Sequence, residues 1–228
     1  MAKIKPNKLE TRAKLISAGM RLFAEQGFRA VSTRDIAKEA GVNSALISYH
    51  FGGKDEFFEV VVRSSVSDHV AERMQMLTKA RAKGRELTLE TLLELYLQPI
   101  LNKRKWSHSG DYFTRLHAVV IAEKSELAED VLSRALSGVN IAFIDELCLL
   151  LPHLKRETIT WRFYAMIGSF LFLDTDPSPP GMLTVSAGKC DASDHEEVMR
   201  QMLPFFVAGL AADEPAQPQS SAVSAQGL

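Results

Sequence analysis

The feature that most constrains this chain is a pair of short helix-compatible segments set between glycine breaks near its N-terminus. Leu9, Ala13, Ile16, Met20 and Phe23 recur at helical spacing, so residues 9–26 predict an amphipathic helix. Gly27 follows, where a residue without a Cβ ends a helix with least strain. Ser32 and Asp35 form a capping-box-like S-x-x-D, with Thr33 as an alternative cap. They open a helix over 33–40 that turns Ile36 and Ala37 inward. Gly41 stops it, and Val42 packs beneath the turn. Asn43 or Ser44 can cap a second short helix ending near Phe51, and Gly52-Gly53 separates that helix from a long one over about 54–77. Two short helices about a glycine-centred turn, braced by a preceding amphipathic helix, define a helix-turn-helix over residues of about 30 to 54. Such a motif lays its second helix in the DNA major groove.

Charge is distributed to match. The chain's net charge is only -1, but residues 1–55 hold ten Lys/Arg against five acids. That leaves a basic head, at +5, on a body that carries -6. A head of this kind suits a polyanion at one end of the molecule.

The stretch Thr33-Arg-Asp-Ile-Ala-Lys-Glu-Ala-Gly-Val-Asn-Ser-Ala-Leu-Ile-Ser-Tyr-His-Phe-Gly-Gly-Lys-Asp-Glu-Phe57 resembles the TetR family of repressors. The upstream Leu22-Phe23-Ala24-Glu25-Gln26-Gly27-Phe28 resembles the ending of that family's first helix. The resemblance is specific over residues 10–60 and weak beyond them. Two departures stand out: Ser48 occupies the place where the family usually has Tyr, with Tyr49 following, and Ala45 replaces a customary glycine. They leave the fold intact but bar any transfer of operator sequence.

In the recognition helix Ile47 and Phe51 are four apart and point into the small core. Ser44, Ala45, Ser48 and Tyr49 are therefore expected to face the groove, where hydroxyls meet base edges and a methyl meets thymine. No arginine or glutamine offers a bidentate base contact here, so DNA shape and water are expected to share the reading. Thr33, His50 and Lys54 are expected to clamp phosphates, with Arg34 adding charge; Thr33 and Lys54 lie at helix N-termini.

The remainder predicts an all-α body with helices near 86–102, 110–122, 125–150, 156–173 and 194–211. The helices at 156–173 and 194–211 are apolar on more than one side. The resemblance implies that they build a four-helix homodimer interface, through Phe163, Met166 and Phe170 on one and Met199, Met202, Leu203, Phe206 and Leu210 on the other. Pro204 is expected to kink the last helix. The resemblance also implies a cavity for a mostly apolar small-molecule effector among the middle helices. Tyr96, Trp106, Phe113, Arg115, His117, Phe143, Trp161 and Phe170 are its candidate lining. Arg115 and His117 are two apart and cannot share one tight helical face.

The expected organisation is thus a helix-turn-helix DNA-binding domain over 1–53, a helical effector-binding and dimerisation domain over 54–211, and a disordered tail rich in Ala, Ser, Gln and Pro over 212–228. Residues 174–193, which include Asp-Pro-Ser-Pro-Pro-Gly, read as a long loop. Two cysteines fit a reducing cytosol, and neither a signal peptide nor a membrane span is expected. The six histidines are scattered, without metal-ligand spacing, and there is no nucleophile elbow or phosphate loop. No enzyme activity, metal or cofactor is therefore expected. The expected partners are an operator in double-stranded DNA, a small-molecule effector and a second copy of the chain. A helical adaptor that merely retains the motif is the rival reading.

Overall fold

The computed structural model describes residues 8–82, 87–101, 110–123, 126–173 and 181–214. Among them the chain is helical, without strands: α1 (Lys8–Ala30), α2 (Thr33–Glu39), α3 (Ala45–Phe51), α4 (Lys54–Ala82), α5 (Leu89–Leu101), α6 (Gly110–Glu123), α7 (Glu126–Leu150), α8 (Arg156–Leu173), α9 (Met182–Val185) and α10 (His195–Ala211). This is the all-α architecture the periodicities predict, with a helix-turn-helix in α2–α3 and a helical C-terminal body.

The head is bound to the body by phenylalanines. Phe23 of α1 meets Phe58 of α4 edge-on at 5.1 Å between ring centroids, Phe28 meets Phe58 at 4.6 Å, and Phe51 of α3 meets Phe57 at 4.8 Å. Phe23, Phe57 and Phe58 are fully buried. Aromatic pairs in such tilted or edge-on geometry contribute about 0.5–1.5 kcal/mol each beyond their burial. Gly19 lets α1 approach α4 this closely, since a Cβ there would lie 2.6 Å from the Phe57 ring. An Arg21–Glu39 ion pair then braces α1 against α2.

Gly27 does more than end a helix. Helical structure resumes beyond it to Ala30, with Gly27 itself at φ 85° and ψ 166°, a region open almost solely to glycine. The kink swings Phe28 into the aromatic cluster. A Cβ on Gly27 would also collide with the carboxylate of Glu123, the last residue of α6. Glu123 Oε1 accepts a hydrogen bond from the Arg29 backbone N–H at 3.2 Å, so α6 ends on the kink of α1.

In the body, α7 packs along α4, tied by Arg134 to Glu59 at 3.7 Å and by Arg81 Nε to Glu146 at 2.8 Å. The start of α8 and the end of α10 cap one another. Glu214 accepts from the Lys155 N–H at 2.6 Å and from the Thr158 hydroxyl at 2.7 Å. Arg162 donates to the carbonyls of Leu210, Ala212 and Asp213. These bonds satisfy helix-end groups that would otherwise lack partners. The segment expected to be disordered from 212 therefore begins with three residues held against α8, because their backbone and carboxylate serve as its cap; 215–228 lie outside the described residues. Of the long loop expected over 174–193, residues 182–185 form the short helix α9, and 174–180 lie outside the described residues. Pro204 sits within α10, exposed, and the helix continues through it to Ala211.

Gly27→Ala is expected to lower unfolding stability by about 2 kcal/mol, from backbone strain plus the clash with Glu123. Adding Glu123→Ala should recover only the steric share. Urea denaturation of the single and double variants measures both parts, and a neutral Gly27→Ala would contradict the kink.

Candidate functional site

The helix-turn-helix is assembled by local hydrogen bonds. The Ser32 hydroxyl accepts from the Asp35 N–H, while the Asp35 carboxylate accepts from the Ser32 N–H at 2.9 Å, completing the capping box of α2. The Ser32 hydroxyl also donates to that carboxylate, and this bond, with the one from the Ser32 N–H, holds the Asp35 carboxyl below its usual range. Thr33 is consequently the first helical residue and not the cap. In front of α3 it is Asn43 whose side-chain oxygen accepts from the Ala45 N–H at 2.9 Å; Ser44 occupies the cap position without a side-chain bond.

Ile47 is fully buried and fastens α3 inward. Ala45, Ser48 and Tyr49 face solvent, Tyr49 with 71% of its surface exposed, and Ser44 is half-buried beside them. Lys54, at the start of α4, lies with its Nζ 4.4 Å from the centre of the Phe28 ring. Thr33 is half-buried and Arg34 exposed; His50 is half-buried, its ring edge-on to Tyr49 at 5.0 Å. The structure thus brings the eight residues expected at DNA onto α2, α3 and the start of α4. Beside them stand two cations that sequence reasoning counted only as charge. Lys8 Nζ lies 5.6 Å over the Tyr49 ring, and the Arg12 guanidinium 4.6 Å over Phe51. Both are one turn apart on α1, and that i,i+4 spacing was the available signal.

A second site lies inside the body. A cavity of about 320 Å³ opens between α4, α5, α6, α7 and α8. Its wall is mostly aliphatic, with Ile100, Val120, Leu132, Leu136, Ile167 and Leu171, and its polar groups are Arg73, Tyr96, His117, Asn140 and Tyr164, with Glu129 and Ser133 on α7. The Tyr96 hydroxyl donates to Asn140 Oδ1 at 2.8 Å, and Asn140 Nδ2 donates to the Tyr164 hydroxyl at 3.4 Å. Burial, aided by the nearby Arg73 charge, pushes the His117 pKa down to about 4, so this imidazole is neutral at pH 7. Burial also raises the Tyr96 pKa and keeps its phenol protonated.

Of the residues expected to line an effector cavity, Tyr96 and His117 do so. Phe143 and Phe170 are fully buried outside the lining, Phe143 stacking edge-on against Tyr96 at 5.0 Å. Arg115 points to solvent, two residues from inward-facing His117, as their spacing required. Trp161 is 77% exposed on the outer side of α8. Trp106 and the Phe113 side chain lie outside the described residues. Arg73, Asn140 and Tyr164 were missed. Val62, Val66, His69, Arg73 and Leu77 form one inward stripe of α4, so an arginine on an apolar stripe was the signal for the first.

The residues expected at a dimer interface mostly face the other way. Phe163, Met166, Phe170, Leu203, Phe206 and Leu210 are buried in the chain's own core, and Met199 and Met202 are half-buried. Outward, α8 presents Trp161, Ala165, Ser169 and Phe172, and α10 presents Phe205, Ala208 and Gly209. Both helices are apolar on two sides, and the larger stripe went to the internal core.

Among the described residues no group of His, Cys, Asp or Glu is placed to hold a metal ion, and no helix is long and apolar enough to cross a membrane.

Residues 94–209 match the model of the tetracyclin repressor-like C-terminal domain, and residues 15–61 match that of the bacterial regulatory proteins of the tetR family. The chain is similar to the probable HTH-type transcriptional regulator YttP of Bacillus subtilis (strain 168), 29% identical over 153 residues, which are 67% of this chain and 70% of that one. It is also similar to the HTH-type transcriptional regulator PksA of the same organism, 25% identical over 177 residues, 73% of this chain and 80% of the other. Its fold is similar to that of the fatty acid degradation regulator FadR from Bacillus halodurans, with a TM-score of 0.60 at 16% identity over 91% of this chain and 98% of that one. With its C-terminal half and its DNA-reading head each matched to the family, this chain belongs to the TetR family of transcriptional regulators.

Proposed function

We propose that the chain is a ligand-responsive repressor: a homodimer that binds a partly palindromic operator and leaves it when a small molecule fills the cavity. The observation that carries this reading is the double engagement of α6. His117, Val120 and Ile121 of α6 line the cavity, and Glu123, on the next turn, holds the kink of α1. A ligand that displaces α6 therefore acts directly on the helix that braces the reading head. The joint is also poorly secured, since Glu123 Oε2 is buried with no hydrogen-bond partner among the described residues. Ligand and operator then favour different placements of the head, and each weakens the other's binding by the same factor.

On DNA, Ala45, Ser48 and Tyr49 enter the groove, with Ser44 at their edge. Thr33, Arg34, His50 and Lys54 hold phosphates, joined by Lys8 and Arg12 stacked on the aromatic rings of α3. One helix reading so few base edges discriminates weakly, and two half-sites multiply the discrimination. The second copy docks on the outward face of α8 and α10. Trp161, Phe172 and Phe205 supply apolar area there, and Ala165, Ala208 and Gly209 allow close approach. In this reading residues 1–53 recognise DNA and 54–211 bind effector and partner, in the cytoplasm.

With DNA recovered by the purified protein from its own genome, Tyr49→Ala is expected to lower operator affinity by about 1–3 kcal/mol, preferentially on the recovered sequence. Lys54→Ala should weaken binding to all sequences and reduce the salt slope by about one. Fluorescence anisotropy across a salt series checks both; a chain that serves only as an adaptor would show neither effect. Phe205→Glu is expected to yield a folded monomer by light scattering. A dimer unaffected by that charge would place the interface elsewhere.

A further inference from the structure

Arg73 is the least expected occupant of the core. Only 2% of its surface is exposed, yet it lies among the aliphatic side chains of α4 and lines the cavity. Its Nε donates to the Tyr96 carbonyl at 2.8 Å, and its guanidinium lies 4.1 Å from the centre of the Tyr96 ring. Its terminal amino groups have no hydrogen-bond or ion-pair partner among the described residues. Glu72, its neighbour in sequence, acts on it only through space. A buried cation is ordinarily paired, because removing it from water is costly unless an opposite charge replaces the lost hydration. An arginine needed only to cap the Tyr96 carbonyl would use one donor and leave the rest of its fork stranded.

The surroundings narrow what completes it. His117, neutral at pH 7, adds no second positive charge. Tyr164 accepts from Asn140, which leaves its own hydroxyl hydrogen for a ligand in the cavity. Among the described residues Glu129 is the one carboxylate in the lining, and it is exposed to water, where its charge is screened. Among the described residues Arg73 is the one permanent cation in the lining, which matches a monoanion better than a phosphate dianion, and its planar fork fits a carboxylate in bidentate fashion. At about 320 Å³ the space lies at the lower end of the roughly 300–1,000 Å³ typical of small-molecule sites, so the occupant is compact.

We propose that the cavity takes a compact organic acid, its carboxylate paired with Arg73 and its hydrocarbon body lying against Ile100, Val120, Leu132, Leu136 and Leu171. The proposal rests on the reading of this cavity as the effector site and names the chemical class of that effector. Aliphatic and aromatic acids share the required chemistry, so the test carries an arm for each.

Titration calorimetry of the full chain with octanoate and with 4-phenylbutanoate is compared with their neutral primary amides. At least one acid is expected to bind tenfold or more tightly than its amide. Arg73→Met should abolish that preference, and Arg73→Lys should keep part of it. Without ligand, Arg73→Met should be at least as heat-stable as the parent, because it removes a buried charge that has no ion-pair partner among the described residues. Equal binding of acids and amides, or a preference that survives in Arg73→Met, overturns the assignment while leaving the cavity reading intact. An Arg73→Met chain that loses stability and still prefers acids marks the arginine as structural only, which also overturns it. Silence of all four probes overturns it as well. The cavity reading is then judged separately by Leu136→Trp, which fills the space and should itself alter operator affinity.

Discussion

The rest of the molecule depends on the aromatic joint between α1, α3 and α4. Phe23, Phe28, Phe51, Phe57 and Phe58 form one continuous set of ring contacts, and three of the five are fully buried. A helix-turn-helix of two seven-residue helices has too little apolar surface to hold itself. It gains a core only by sharing the rings of α1 and α4. Since α4 continues as the wall of the cavity, the head's stability and its orientation are set by the same helix.

In the proposed function, that shared support is the route by which a small change inside the body reaches DNA. Packed helices do not deform continuously; they shift between discrete arrangements. Here α4 and α6 each touch the cavity and the head, α4 through Arg73 and the phenylalanines, α6 through His117 and Glu123. The energetic demand on a ligand is modest: a preference of about 1–3 kcal/mol for one arrangement changes operator affinity by about 5–150-fold. A buried guanidinium with no ion-pair partner among the described residues is well suited to supply such a preference, because an anion placed against it adds electrostatic stabilisation in a low-dielectric site.

Much of the fold was legible because it is written in local chemistry. Ser32 with Asp35, Gly41 and the Gly52-Gly53 pair mark boundaries that depend on caps and backbone freedom, and the structure keeps them; Gly27, expected to end the first helix, instead kinks it, and helical structure resumes to Ala30. Facing was harder. Periodicity shows that Phe163, Met166 and Phe170 share a stripe, but not whether that stripe meets the chain's own core or a partner. On a helix apolar on two sides the choice is made by tertiary packing, which gave the core the phenylalanines and the surface Trp161 and Phe172. The reading face was accessible, since Tyr49 and Ser48 fall opposite Ile47 on a single short helix. The cavity was less so: Tyr96, Arg73, Asn140 and Tyr164 come from four helices, and no spacing within one segment connects them. Likewise the Glu123–Arg29 bond spans 94 positions and arises only once α6 lies against α1.

The proposed function requires a dimer whose two reading heads change spacing between free and operator-bound states. Nitroxide labels at Gln26→Cys, exposed on α1 and outside the DNA-reading set, in a chain whose Cys148 and Cys190 are replaced by serine, measure that spacing by pulsed electron–electron double resonance. The free dimer is predicted to give a broad distribution. On operator DNA it should narrow to a single spacing, as the two recognition helices settle about one helical turn apart, roughly 34–36 Å between half-site centres. The absence of any distance between protomers, or one distribution unchanged by operator, would contradict it.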